Sequence, residues 1–129
     1  MNSQSNWILK NIHLIISIII VIPTAIIYGS KSLLPEFLDI QIHTIDQSNM
    51  LKAIMVFYLG ASIIWILGIF KSSYWKRATE LNILFMLCLF IGRVLSIIFD
   101  GLPSYGYIYG AIGELILGVF SIYQLRNYN

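Results

Sequence analysis

An arginine inside an apolar stretch is the feature of this sequence most able to do chemistry. Arg93 lies in the run from Leu81 to Phe99, which is otherwise almost wholly apolar. A cation at membrane depth costs roughly 3 kcal/mol on insertion scales unless a partner or water compensates its charge. Glu114 lies in the next apolar run and is the candidate partner. The two residues predict an ion pair that could bind a polar group of a ligand or transfer a proton.

The two side chains are expected at similar depths if both runs are helices. Arg93 precedes Phe99, the end of its run, by about six residues, or roughly 9 Å of helical rise. Glu114 follows Tyr105, the start of the next run, by about nine residues, or roughly 13 Å. Long side chains close that difference, so an ion pair in the outer half of a bundle is geometrically reasonable.

Further polar residues are expected at the same level. Ser96 and Asp100 follow Arg93 at i+3 and i+7, which places the three on one helix face. Lys52, near the start of another apolar run, could meet Asp100, and Tyr28 could approach from the end of the first run. We therefore predict a half-buried, charge-balanced pocket that binds a small amphipathic or lipid-like ligand. Its predicted ligand-binding residues are Arg93, Glu114, Asp100, Ser96, Lys52 and Tyr28.

Small residues follow one face of the last apolar run. Gly106, Gly110 and Gly118 share the spacing of four with Glu114. Small residues at this spacing let helix backbones approach closely in a membrane. The stripe predicts a close helix–helix contact, within the chain or with a partner helix.

Other functions for the same residues stay open. In an acid–base enzyme such as an isomerase, Glu114 or Asp100 would donate and accept protons. The ion pair could instead be purely structural, or the chain could be a subunit of a larger membrane complex. No cofactor is predicted: the two histidines, His13 and His43, are far apart, and no Cys–His or clustered carboxylate spacing typical of a metal site occurs. His13 is expected to reach the membrane interface.

Composition indicates the class of protein that must position these groups. The 129 residues are 58% hydrophobic and 11% charged, with a net charge of +2. Soluble domains carry about 25% charged residues, so this chain lacks the polar surface to be one. No clustered basic face of the kind that binds nucleic acid occurs, so nucleic acid is not an expected partner. Membrane lipids are.

Four apolar runs are long enough to cross a bilayer, which takes about 20 residues each. We predict an all-α integral membrane four-helix bundle, one transmembrane domain over residues 1–129. The predicted spans are about 7–28, 50–70, 79–99 and 105–125, with a short basic turn over 71–77 and a short interfacial helix within 32–38. The excess of Lys and Arg predicts that both termini are cytoplasmic. That face would hold Lys10, Lys71, Lys76, Arg77 and Arg126, against Lys31 and Lys52 on the other.

The segment from Gly92 to Pro103, which reads G-R-x-x-S-x-x-x-D-G-x-P, resembles the hallmark of a bacterial family of small four-span membrane proteins of unknown function. The likeness extends to Tyr28-Gly29, Pro35, Tyr58-Leu59-Gly60 and Glu114, so it covers nearly the whole chain. Lys52 stands where the family more often has arginine. The resemblance implies a four-helix fold embedded in a membrane, and a bacterial inner membrane as its location. It implies no activity.

Overall fold

The computed structural model describes residues 3–129 and folds them into five helices. No β-strand occurs in this part of the chain, so the all-α prediction is confirmed. A short helix, α2, lies in the first long connection. The five helices are α1 (Ser3–Gly29), α2 (Leu34–Phe37), α3 (Ile45–Phe70), α4 (Ser72–Asp100) and α5 (Tyr105–Tyr128). Four of them, α1, α3, α4 and α5, are long and apolar enough to cross a membrane.

The helices extend beyond the predicted spans, because hydropathy marks only the apolar part of a helix. The largest difference is at the predicted basic turn over 71–77, which is wrong. The chain turns at Lys71 alone, whose backbone is extended, and α4 begins at the next residue. Such a tight turn is possible because Gly68 has no side chain: a Cβ added there would overlap that of Ala78. The first two turns of α4 therefore pack directly against the end of α3.

Local sequence signals set the ends of the helices near the other connections. Thr44 starts α3 with a capping box, in which its side chain accepts from Gln47 N at 3.1 Å and its own N–H donates to Gln47 Oε1 at 3.1 Å. Gly101 ends α4 with a φ of 97°, a backbone conformation that residues with a side chain rarely adopt. Pro103 follows and prevents the helix from resuming.

The bundle is not closed equally on all sides. Helix α1 packs along α3, α3 along α4 and α4 along α5, whereas α1 touches α5 over a short stretch only. The core is aromatic: the Tyr58 and Phe85 rings lie 4.9 Å apart and the Trp65 and Phe85 rings 5.1 Å apart. Large apolar side chains such as Ile19 and Phe57 are mostly exposed. An apolar exterior of this kind is typical of a helix bundle in lipid.

The connections lie at opposite ends of the bundle. One end, the loop end, carries the connection from Gly29 to Thr44 and the turn after Asp100. The opposite end, the terminal end, carries the start of α1, the end of α5 and the turn at Lys71.

Candidate functional site

Arg93 and Glu114 form a bidentate ion pair between α4 and α5. Arg93 Nε donates to Glu114 Oε2 at 2.7 Å, and Nη2 donates to Oε1 at 2.8 Å. The arginine side chain is 24% exposed and the glutamate 11%. Both carboxylate oxygens are therefore occupied, while the third guanidinium nitrogen, Nη1, lies outside the pair. The contact predicted between these residues is present.

A glycine and a tyrosine on α5 border the guanidinium. Gly110 lies one turn before Glu114, and a Cβ added there would be 3.8 Å from Arg93 Cζ. Tyr107, three residues earlier, places its ring centre 5.8 Å from the same carbon, within the range of a cation–π contact. The bidentate pairing with Glu114 fixes the orientation of the guanidinium.

Two tyrosines from the other half of the bundle complete the surroundings. The Tyr28 ring meets the Tyr58 ring edge-on, with centroids 5.6 Å apart. Tyr28 also lines a cavity together with Arg93, so α1 contributes to the surroundings of the ion pair. Tyr58 is 8% exposed and belongs to the aromatic core. Tyr28 was a predicted site residue; Tyr58 entered only through the family resemblance, and no polar spacing marks it.

Two cavities adjoin the ion pair at the loop end, and Arg93 lines both. The first, about 460 Å³, lies beside the second half of α4 and the turn that follows Asp100, and it is also lined by Ser96 and Cys88. The second, about 360 Å³, lies between α1 and α5 and is also lined by Gly113 and Glu114. Most of the remaining lining residues are apolar. The residues that both cavities share with Arg93 are Tyr28, Tyr58, Leu89 and Tyr107.

Three predicted site residues lie at or outside the rim. Ser96 donates to Asp100 Oδ2 at 2.9 Å, and both residues are exposed. Ser96 lines the first cavity, whereas Asp100 lines neither. Lys52 is exposed on α3 and donates to Ser48 Oγ at 2.9 Å, one turn away. The expected contact of Lys52 with Asp100 does not form, because each side chain is bonded within its own helix.

Two glycines of the predicted stripe serve the contact between α4 and α5. A Cβ on Gly118 would come within 2.5 Å of Leu87 Cδ2, so the helices touch closely there. Gly110 faces Arg93, and a Cβ added there would be in ordinary van der Waals contact with its guanidinium. Gly106 has open space beside it.

The expectation that His13 reaches the interface is wrong, because it lies in a polar interior near the terminal end. His13 is 0% exposed; its Nε2 is 2.9 Å from Thr79 Oγ1, and its ring meets that of Trp75 edge-on. Nearby, Asn82 Nδ2 donates to Ser121 Oγ at 2.9 Å. Sequence reasoning missed this cluster, although Thr79 and Asn82 share one helix face at i and i+3.

Metal ligation has no support among the described residues, where no group of three or more His, Cys, Asp or Glu side chains lies close enough to hold an ion. The site is a neutralised guanidinium with tyrosine hydroxyls, set between two largely apolar cavities. Such an arrangement can hold the polar end of an amphipathic molecule.

Comparison with known proteins finds one family. A family model described as a domain of unknown function, DUF4345, matches residues 9–125, which is nearly the whole chain. No curated protein and no solved structure matches this chain.

Proposed function

This chain belongs to the family of the domain of unknown function DUF4345, and we propose that it binds an uncharged, lipid-like amphipathic ligand at Arg93. The protein is a small membrane protein by its four long apolar helices. We place it in a cell membrane, the bacterial inner membrane, with both termini cytoplasmic. The excess of Lys and Arg near the termini supports that orientation.

The observation that carries the proposal is the position of the ion pair where two largely apolar cavities adjoin. Ligand sites are usually largely apolar hollows of about 300–1,000 Å³ with a few convergent polar groups. The two cavities, of about 460 and 360 Å³, fit that range. The polar residues that line both are Arg93, Tyr28, Tyr58 and Tyr107.

The second cavity supports entry from the bilayer. It is lined by Thr24 on α1 and Gly113 on α5, the two helices that barely touch. A narrow, largely apolar cleft between two helices of this kind suits an acyl chain.

The charge balance favours an uncharged head group. Glu114 already neutralises Arg93 through both of its oxygens, so an anionic head would bring an uncompensated charge into a half-buried place. A carbonyl or hydroxyl group could instead accept from Arg93 Nη1 or exchange hydrogen bonds with Tyr28. The same pairing disfavours the enzyme alternative, because a proton taken up by Glu114 would have to compete with the two hydrogen bonds that its oxygens accept from Arg93.

Filling the cleft between α1 and α5 tests the proposal without touching a charge. Gly113 lines this cleft and has no atom within 4 Å of an added Cβ, so Gly113→Phe projects a ring into the open space. Gly60→Phe is the matched control, because Gly60 is exposed, has the same open surroundings and lines neither cavity. The probe is a monoacylglycerol, titrated into the detergent-solubilised protein and measured by native mass spectrometry.

We expect the unchanged protein and Gly60→Phe to bind one monoacylglycerol saturably, and Gly113→Phe to lose that binding. A fatty acid of equal chain length should bind at least about tenfold more weakly, since each 1.4 kcal/mol is a factor of ten. Equal binding by all three proteins, or stronger binding of the fatty acid, would refute the proposal. Helical circular dichroism of each variant checks that the fold is kept.

A further inference from the structure

We propose a second binding site, at the terminal end, for a phosphate group that carries a hydroxylated substituent. A cavity of about 230 Å³ lies there between the start of α1, the end of α3 and the start of α4. It shares no lining residue with the two cavities at Arg93. The inference therefore stands independently of the proposed function. Its lining residues with polar side-chain atoms are Trp7, Lys10, Asn11, Ser72 and Trp75.

A cation is already positioned at this cavity. Lys10 Nζ lies 4.8 Å from the centre of the Trp75 ring, a cation–π distance. Lys10 is half-buried, and no ion pair joins it to a carboxylate within residues 3–129. A half-buried ammonium held over an indole is able to pair with an anion.

Two buried polar atoms of the lining have no hydrogen-bond partner among the described residues. They are Asn11 Oδ1 and Trp75 Nε1, and their side chains belong to residues only 2% and 3% exposed. Asn11 uses its Nδ2 to donate to Trp7 O at 3.0 Å, which leaves the amide oxygen as an acceptor. Buried polar groups are nearly always hydrogen-bonded, so a ligand that offers both an acceptor and a donor to these two lining residues would satisfy them.

The start of α4 adds a third attraction for negative charge. Ser72, the first residue of this 29-residue helix, lines the cavity, and no side chain caps the helix. An uncapped N-terminus presents free N–H groups and the positive end of the helix dipole. Cations are also concentrated on this end of the bundle. Besides Lys10 they are Lys71, Lys76, Arg77 and Arg126.

The set of groups defines the chemistry of the ligand. The Lys10 ammonium and the Trp75 N–H are both donors, which suits the oxygens of a phosphate. Asn11 Oδ1 accepts, and a phosphate diester has no proton to give it. A hydroxyl beside the phosphate supplies that proton, as in the glycerol head of an anionic lipid or in a free glycerol phosphate.

The experiment compares two lipids with identical acyl chains, phosphatidylglycerol and phosphatidylcholine, and a water-soluble arm, glycerol 3-phosphate. Each is titrated into the full chain in a non-ionic detergent and followed by native mass spectrometry. The test variants are Lys10→Gln and Asn11→Leu. The matched control is Lys76→Gln, which removes an exposed cation from the same end but outside the cavity.

We expect phosphatidylglycerol to bind about tenfold more tightly than phosphatidylcholine, the effect of one charge-assisted hydrogen bond. Lys10→Gln should abolish that preference, Asn11→Leu should reduce it, and Lys76→Gln should leave it within about twofold. Saturable binding of glycerol 3-phosphate with the same sensitivities would identify a free phosphoester as the ligand; its absence would identify the lipid.

Two results would overturn the inference. One is equal affinity for both lipids with no binding of glycerol 3-phosphate. The other is a loss of preference in Lys76→Gln as large as in Lys10→Gln, because general attraction to a basic surface would then explain it. Neither result depends on the cleft at Gly113, so this site and the proposed function can fail separately. Asn11→Leu keeps the charge, so it detects a specific site even if Lys10→Gln folds poorly.

Discussion

Removing Glu114 should destabilise the protein more than removing Arg93, although both substitutions break the same two hydrogen bonds. The compared variants are Glu114→Leu, Arg93→Met and the double variant. In Glu114→Leu, the guanidinium stays charged, because arginine cannot give up its proton in a protein. In Arg93→Met, the carboxyl group left behind can take up a proton and become neutral. The asymmetry arises from this difference alone.

The magnitudes depend on the burial of the pair. Breaking a buried ion pair by removing one partner costs about 3–5 kcal/mol. Arg93 is 24% exposed, so the lower end applies, and we expect a loss of about 3 kcal/mol for Glu114→Leu. For Arg93→Met we expect about 1–2 kcal/mol, the cost of a buried polar group without its partner. The double variant leaves no charge and should lie within about 1 kcal/mol of the unchanged protein.

Equilibrium unfolding in mixed micelles, followed by circular dichroism, measures all four proteins. Lys52→Met is the control for loss of a cation, because Lys52 is exposed and bonds only one turn away, to Ser48. It should change the free energy of unfolding by less than about 0.5 kcal/mol. Costs that add in the double variant, or a larger loss in Arg93→Met than in Glu114→Leu, would show that the pair is not coupled as the geometry requires.

Two further predictions concern the packing of α5. Gly118→Ala should cost about 1–3 kcal/mol in the same unfolding assay, since its Cβ would lie 2.5 Å from Leu87 Cδ2. Gly106→Ala has open space and should be neutral or stabilising by up to about 1 kcal/mol, and equal effects of the two substitutions would contradict the close contact. Gln124→Leu removes the donor to Leu9 O, a bond of 2.5 Å that ties α5 to α1, and should widen the spacing of spin labels placed on these helices at the terminal end; an unchanged distance distribution would mean that other contacts hold them.

The sequence predicted the helices well and their ends less well. Apolar length is a property of consecutive residues, so it locates the four long helices without any knowledge of neighbours. The start of α4 was missed because its first turns are polar. They pack against α3 only because Gly68 has no side chain, and that contact cannot be read from the local sequence. Helix α3 begins five residues before the predicted span, because the capping box of Thr44 and Gln47 starts the helix ahead of its apolar part.

Part of the candidate site was also within reach of the sequence. A charge within an apolar run is costly, so it demands a partner, and Glu114 was the obvious one for Arg93. The placement of Lys52 was harder to foresee: an exposed side chain that can bond one turn away has no need to reach across the bundle. The burial of His13 was missed because its polar partner, Thr79, lies on another helix, α4, and cannot be identified along the chain.

Apolar length and the cost of an isolated charge can both be read along the chain, and they suffice for four long helices and an Arg93–Glu114 pair. The side of each helix that faces inward is set only by packing. The long helices are apolar nearly all round, so no polar stripe along α3, α4 or α5 encodes its rotation. That rotation creates the cleft between α1 and α5, the tyrosine walls around Arg93 and the small cavity beside Lys10, because each is made by side chains from separate helices.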